Sequence, residues 1–333
     1  MATINVLFPS IVDVAKRTDP DGKIALLAEL LNQTNPILED AVYVEGNGPL
    51  DHTVTVRTGL PTVYFRMLNQ GVPPSKSTTA QVKEAMSIME AYSEVDVDLA
   101  MLNGNTAAFR MSEDRAFIEA MNQKQAQTVF YGNPTVDPKS YAGLAARYST
   151  KSGATNGRNI ILGGGAGVDN SSIYLIVWSD STVFMTYPKG SQAGLLANDL
   201  GEDTSVDSLG GRLQVLRSHY QWKAGLVVKD WRYVVRIANL SAATLASGSP
   251  PDLIKFMTQA IDLIPALSMG KASFYCTRTV ASALRDQAAG KTGNVLTVEA
   301  GLTQLGTTII TQRFLGIPLR VVDALVSTEA TVA

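Results

Sequence analysis

Glu94, Asp96 and Asp98 stand at alternate positions in Glu94-Val95-Asp96-Val97-Asp98-Leu99. On a strand, that spacing brings three carboxylates to one face, a set able to hold a cation. The same alternation is that of a half-buried strand with a solvated outer face, and this is the reading adopted. His52 and His219 are the only histidines. A histidine metal site or a nucleophile–histidine pair would have to use one of them. Neither lies in a ligand or nucleophile motif, so both are read as structural. Gly163-Gly164-Gly165-Ala166-Gly167 follows the apolar Ile160-Ile161-Leu162, as a dinucleotide-binding turn would. What comes next is Ser/Asn and a strand where that motif requires a helix, so a flexible surface loop is expected. Gly290-Lys291-Thr292 matches the end of a phosphate loop, but Arg285 stands where the earlier glycine belongs, and a helix precedes the tripeptide instead of a strand. Cys276 is the single cysteine; beside Phe274-Tyr275 and Val280 it reads as a buried thiol, and alone it makes no intrachain disulfide. Trp178, Trp222 and Trp231 fall on predicted strands as core or interface anchors. These residues describe no enzyme, and no catalytic, cofactor or metal site is expected.

The elements that must position them begin with a long helix. Ser112 is a suitable N-cap, Glu113 and Asp114 put negative charge on the first turn, and neither Pro nor Gly intervenes before Gly132. A helix over 112–130 would be about 28 Å long. Phe117, Ala120 and Met121 share one side, with Ile118 and Val129 nearby, while Asn122-Gln123-Lys124-Gln125 is polar. So narrow an apolar stripe predicts a spine lying across a sheet, with one face left to solvent or to a neighbour. Gly132 is expected as a left-handed C-cap, and Pro134 bars continuation. Upstream, Ile24, Leu27, Leu30 and Leu31 have helical spacing. Residues 52–67 and 78–99 read as the limbs of a long two-stranded excursion around a loop tip at 71–77. An isolated hairpin is marginal at best, so this one is expected to rest on another subunit. Further on, hairpins are expected at 171–190, turning at Asp180-Ser181, and at 212–238, turning at Ala224-Gly225. A helix capped by Asp252 runs to Ile264, followed by a buried strand at 272–277 and a helix at 279–288. A Gly-rich loop at 290–306, a strand at 307–311 and a turn then strand at 314–322 close the chain.

The chain has 333 residues, room for one large domain or two ordinary ones. Charged residues make up 17%, against roughly 25% in a typical soluble protein, and no apolar run approaches the ~18 residues of a membrane span. Low charge without a membrane segment predicts much surface buried between chains, as in an obligate oligomer. A net charge of −2 argues against a protein that grips nucleic acid through a basic face. No secretory signal is visible at the N-terminus, so an intracellular site is expected.

The order of these features resembles a known family. A strand pair with a long loop leads to Ala100-Met101-Leu102 and then to the polar helix. That helix ends in Phe130-Tyr131-Gly132-Asn133 and is followed by Tyr141-Ala142-Gly143-Leu144; the chain closes with Leu315-Gly316-Ile317-Pro318-Leu319. This resembles the major capsid proteins of tailed bacteriophages with the Hong Kong 97 type fold, those of short-tailed, podovirus-like phages above all. The resemblance implies an α+β fold with an N-terminal arm at 1–49 and an extended E-loop at 50–86. A peripheral domain at 87–245 would hold the spine helix at 112–130 and long strands at 171–238, and an axial domain would span 246–333. In the family the long strands follow the Leu-Gly-x-Pro stretch, whereas here they precede it, so a permuted connectivity is expected.

The function implied is structural: self-assembly, through hexamers and pentamers, into an icosahedral head around double-stranded DNA. The protein would reside in the virion, after assembly in the host bacterial cytoplasm. The short arm leaves no room for a fused scaffolding domain, so a separate scaffolding protein is an expected partner, together with a portal protein and a decoration or cement protein. DNA would be enclosed without sequence-specific binding, and no membrane is involved. Arg57, Arg66 and Lys76, with Pro73 and Pro74 at the loop tip, are the candidate intersubunit contacts. Some relatives join a Lys and an Asn covalently between subunits; Lys76 is placed for this, but no motif supports it. An encapsulin-like compartment, which shares the fold, is one alternative, and a cytosolic oligomeric enzyme using the 163–167 loop is a second.

Overall fold

The computed structural model describes residues 8–9, 32–102, 106–153, 155–207, 209–247, 250–289, 296–302 and 308–333, with the backbone alone at 296–302 and 308–311. The expected helix around 24–31 and the Gly290-Lys291-Thr292 tripeptide lie outside the described residues. The first half of the chain carries α1 (Ile37–Asp40), β1 (Tyr43–Glu45), β2 (Asp51–Gly59), β3 (Thr78–Ala85), β4 (Ser87–Asp96), α2 (Val97–Met101), α3 (Thr106–Tyr131) and α4 (Leu144–Arg147). The strands β5 (Ile160–Leu162), β6 (Asn170–Trp178), β7 (Val183–Tyr187), β8 (Leu195–Val206), β9 (Arg212–Val228) and β10 (Val234–Ser241) follow. The remainder is α5 (Ala242–Leu245), α6 (Leu253–Asp262), β11 (Lys271–Cys276), α7 (Arg278–Ala289), β12 (Leu296–Leu302), β13 (Thr308–Phe314) and β14 (Ile317–Val321).

The core forms around β6, which is buried along its whole length. Ile173-Tyr174-Leu175-Ile176-Val177 is a continuous apolar run, the pattern of a strand covered on both faces. Its partners are distant in sequence, β10 on one side and β11 on the other, both antiparallel. The expected 171–190 hairpin therefore does not form. β7 pairs with β1 and with the end of β9, and meets β6 only in a parallel bridge at Trp178 and Val183. Past β11 the sheet continues through β14, β13 and β12. Thus β12 occupies ground expected to be loop. Leu315 and Gly316, at φ +48° and +83°, make the tight turn between β13 and β14. Phe130, at the end of α3, lies against Tyr174 and Tyr275, with centroids 5.3 and 6.4 Å apart. Asp252 caps α6 as expected, accepting from the Lys255 amide.

β9 leaves this core and becomes the middle strand of a ribbon, flanked by β8 and β4. It runs straight through Ala224-Gly225, where a turn was expected. Gly225 is there for space, since a Cβ would sit 2.9 Å from the Ala85 carbonyl oxygen. Trp231 lies in a short 3₁₀ turn after β9, not on a strand. β8 and most of β9 lie in the chain between β7 and β10, two strands of the central sheet, while β4, the ribbon's third strand, comes before β5. The expected boundary at 245/246 falls between β10 and β11, which share β6 as their neighbour.

α3 lies across the ribbon, as the narrow stripe implied. Phe117 stacks on Tyr220 at 6.4 Å, Phe109 joins Val95 and Ala100, and Arg110 pairs with Asp199 at 2.6 Å. The helix begins well before Ser112, which is therefore an interior residue and not a cap; nothing from Thr106 to Met111 breaks a helix. Gly132 does not adopt the left-handed conformation. Its amide continues the helix to Thr128 O at 2.8 Å, and its carbonyl accepts from the Gly143 amide at 2.7 Å. A Cβ at Gly143 would sit 2.6 Å from Thr128 O. The two glycines that carried the resemblance let the helix end and the following loop touch backbone to backbone. Among the described residues no helix is long and apolar enough to cross a membrane.

Candidate intersubunit surface

β2 and β3 form a two-stranded antiparallel hairpin that pairs with no other strand among the described residues. Its base is fastened to the body. Arg147 grips Glu84 with two bonds of 2.7 and 2.6 Å and reaches the Leu226 carbonyl at 3.1 Å. Such a bidentate pair, largely out of solvent, fixes direction as well as distance. Val54 packs with Phe184 and Val227, and His52 meets the Phe184 ring edge-on at 5.4 Å. Burial, followed by nearby Lys229, lowers the His52 pKa, so this side chain is a neutral packing group. Asn47 clamps Thr53 through both its amide and its carbonyl, at 2.8 Å each.

The tip is the opposite. From residue 60 to 77 there is no strand or helix. Leu60 is 80% exposed, Val63 89%, Phe65 110% and Leu68 89%, and Tyr64, Met67 and Val72 are also open. An apolar patch of this kind is a candidate interaction surface. Arg57, Arg66, Lys76, Pro73 and Pro74 all lie exposed on the same hairpin, and the three cations make no ion pair among the described residues. The candidate contacts are thus brought together on one arm. The apolar side chains between them, which carry most of the open surface, were not picked out from the sequence. Leu60-Pro61-Thr62-Val63-Tyr64-Phe65 was read as strand, and strand alternation would have hidden half of it.

The other candidates resolve into structural roles. Glu94 accepts from Arg217 at 2.7 Å, while Asp96 ends β4 and caps α2, with Asp98 inside that helix. The three carboxylates therefore do not share one strand face. His219 stacks on Tyr92 at 4.6 Å. The 163–167 loop is pressed against β10, with Gly163 and Gly165 donating to Ala238 and Asn239 at 2.8 Å each, so it is not a loose surface loop. Cys276 is buried, and burial pushes its thiol up to about 12. Trp178 donates to Tyr275 Oη at 2.9 Å inside the core. Among the described residues no group of three His, Cys, Asp or Glu is placed to hold a metal.

One polar network was invisible in the sequence. Glu329, in the C-terminal tail, pairs with Arg236 at 2.8 Å, accepts from Tyr131 at 2.5 Å and bonds Ser172, all deep in the core. Asn239, at φ +61° in a bulge of β10, exchanges two 2.8 Å hydrogen bonds with Val332. The tail is held along its length by these partners.

Comparison with known proteins decides the identity. Residues 19–333 match the family described as "Major capsid protein GP7". The chain belongs to that family. Across 100% of this chain and 99% of the other, it is similar to a chain in the cryo-EM structure of bacteriophage Epsilon15, at 31% identity and TM-score 0.75. It is also similar, at TM-score 0.46 and 9% identity, to a chain of the bacteriophage JBD30 capsid, covering 76% of this chain and 82% of that one. A chain of the SrpI encapsulin complex from Synechococcus elongatus gives TM-score 0.43 and 11% identity, over 70% and 97% of the two chains. No curated protein sequence matches. The protein has the Hong Kong 97 type fold and is a structural component of the virion that assembles into a shell, not an enzyme.

Proposed function

We propose that this capsid protein tiles the head through its β2–β3 hairpin, which reaches out and covers part of a neighbouring subunit. One observation carries the proposal: the seven apolar side chains from Leu60 to Val72 are open although the hairpin's base is firmly packed. Covering such side chains stabilises by about 1.5–3 kcal/mol each, so a few of them suffice to hold a tile edge. Arg57, Arg66 and Lys76 pair with acids of that neighbour, and Pro73 and Pro74 stiffen the tip. In this reading 32–49 is the end of the arm, 50–86 the E-loop, and α3 with the β4–β9–β8 ribbon the peripheral unit. The rest of the central sheet, with α6 and α7, is the axial unit.

Hexamers and pentamers built from these contacts enclose double-stranded DNA without reading it, consistent with the near-neutral net charge. Assembly takes place in the host cytoplasm on a separate scaffolding protein and around a portal, and a decoration protein is a further partner. The test is electron microscopy of the purified assembly, with its nucleic-acid content measured. Closed icosahedral shells that package DNA during infection are expected. Well-formed particles holding only cargo protein would contradict the proposal.

A further inference from the structure

The hairpin has an unusual charge. Between His52 and Lys83 lie Arg57, Arg66, Lys76 and Lys83 and no acid, so this segment is +4 and the rest of a chain of net charge −2 is −6. A groove of about 680 Å³ opens between the 33–43 segment, the exposed side of α3 and the start of β8. It is lined by apolar Leu38, Tyr43, Ile118 and Leu195, and among its described lining residues Glu39 is the one charge. Glu39 is exposed and makes no ion pair among the described residues. Three lining residues each hold a buried polar atom without a partner: Asn35 Nδ2, Trp222 Nε1 and Asn122 Oδ1. The backbone of 63–66 makes no hydrogen bond among the described residues, so its carbonyls and amides remain open to a neighbour.

We infer that this groove is the receiving site for the hairpin tip of a second copy, with Phe65 entering it and Arg66 pairing with Glu39. The inference rests on the reading that the tip covers a neighbour, and it adds where. The tip does not fill the groove of its own chain, because Phe65 and its neighbours are exposed. The ring supplies apolar volume to a groove lined by Leu38, Tyr43, Ile118 and Leu195, and the cation meets Glu39, the one charge among its described lining residues.

The test uses full-length shells purified from expressing cells, with the concentration for half-dissociation as readout. Glu39→Arg and Arg66→Glu should each raise that concentration about fivefold, the size of one lost ion pair per contact, and combining them should recover most of the loss. Ile118→Trp, which fills the groove from the exposed side of α3, should weaken shells while leaving the melting of the dissociated subunit unchanged, and it serves where a charge swap disturbs folding. If Phe65→Ser weakens shells but Glu39→Arg and Ile118→Trp do not, the tip docks elsewhere: the groove assignment is overturned and the docking reading survives. If Phe65→Ser leaves shells intact, both fall. Singles that weaken without recovery in the double overturn the pairing.

Discussion

Two stretches of this chain have almost no regular structure and meet opposite fates. The C-terminal tail beyond β14 is buried by its own body: Glu329 sits 6% exposed among Arg236, Tyr131 and Ser172. The hairpin tip at 60–77 exposes large apolar side chains, and nothing among the described residues covers them. Irregularity therefore does not explain the tip's exposure. The tail's polar side chains find partners at fixed depth in one fold, whereas the tip's apolar side chains are open among the described residues, as the proposed docking on a neighbour requires.

The comparison can be broken first at the tail. Glu329→Ala leaves Arg236 charged and 4% exposed without its partner, and should destabilise the dissociated subunit by about 3–5 kcal/mol in denaturant unfolding. A loss under about 1 kcal/mol would mean the tail is only draped on the body. Gly143→Ala comes next. Its Cβ would press into Thr128 O, and the same measurement should show a loss of about 1–3 kcal/mol.

A smaller effect is expected at the Arg110–Asp199 link between α3 and the ribbon. The hydrogen bond from Arg110 holds the Asp199 carboxyl below its ordinary value. An acid depressed in the folded state stabilises fully above its unfolded pKa of about 3.9, and that contribution is lost as pH falls through the lower folded value. Asp199→Asn should cost less than about 1 kcal/mol at pH 7 and flatten the stability profile below about pH 4. An unchanged acid limb would show that the link contributes nothing. The smallest effect on the subunit belongs to the tip itself. Phe65→Ser should change the unfolding free energy by under about 0.5 kcal/mol, because no packed contact of the subunit is lost, while shell yield falls sharply. A tip variant that unfolds the subunit would erase the contrast with the tail.

Much of this was legible in the sequence, and the misses have physical causes. The long helix, the capped helix at 253–262, the buried strand at 271–276 and the projecting hairpin follow from local pattern alone. The Gly132 and Gly143 motif was seen, but its reason was not: the need was room between two backbones, not a positive φ. β8 was missed because Asn198-Asp199-Leu200-Gly201-Glu202-Asp203 is polar and half-solvated, and only pairing with β9 makes it a strand. β6 was given the wrong partner because strands close in sequence invite a hairpin, whereas a strand buried on both faces takes its neighbours from wherever the chain returns. At the candidate site the cations were legible as charges without acids nearby. The groove was not, because residues from 33 to 222 meet only in the folded body.

The most direct measurement is hydroxyl-radical footprinting of Phe65 and Met67 in dissociated subunits and in assembled shells. The account predicts strong labelling of both in the subunit and a marked loss of labelling in the shell, with Cys276 unlabelled in either state. Equal labelling of Phe65 and Met67 in the two states would mean that no neighbour covers the tip, and the account would be wrong.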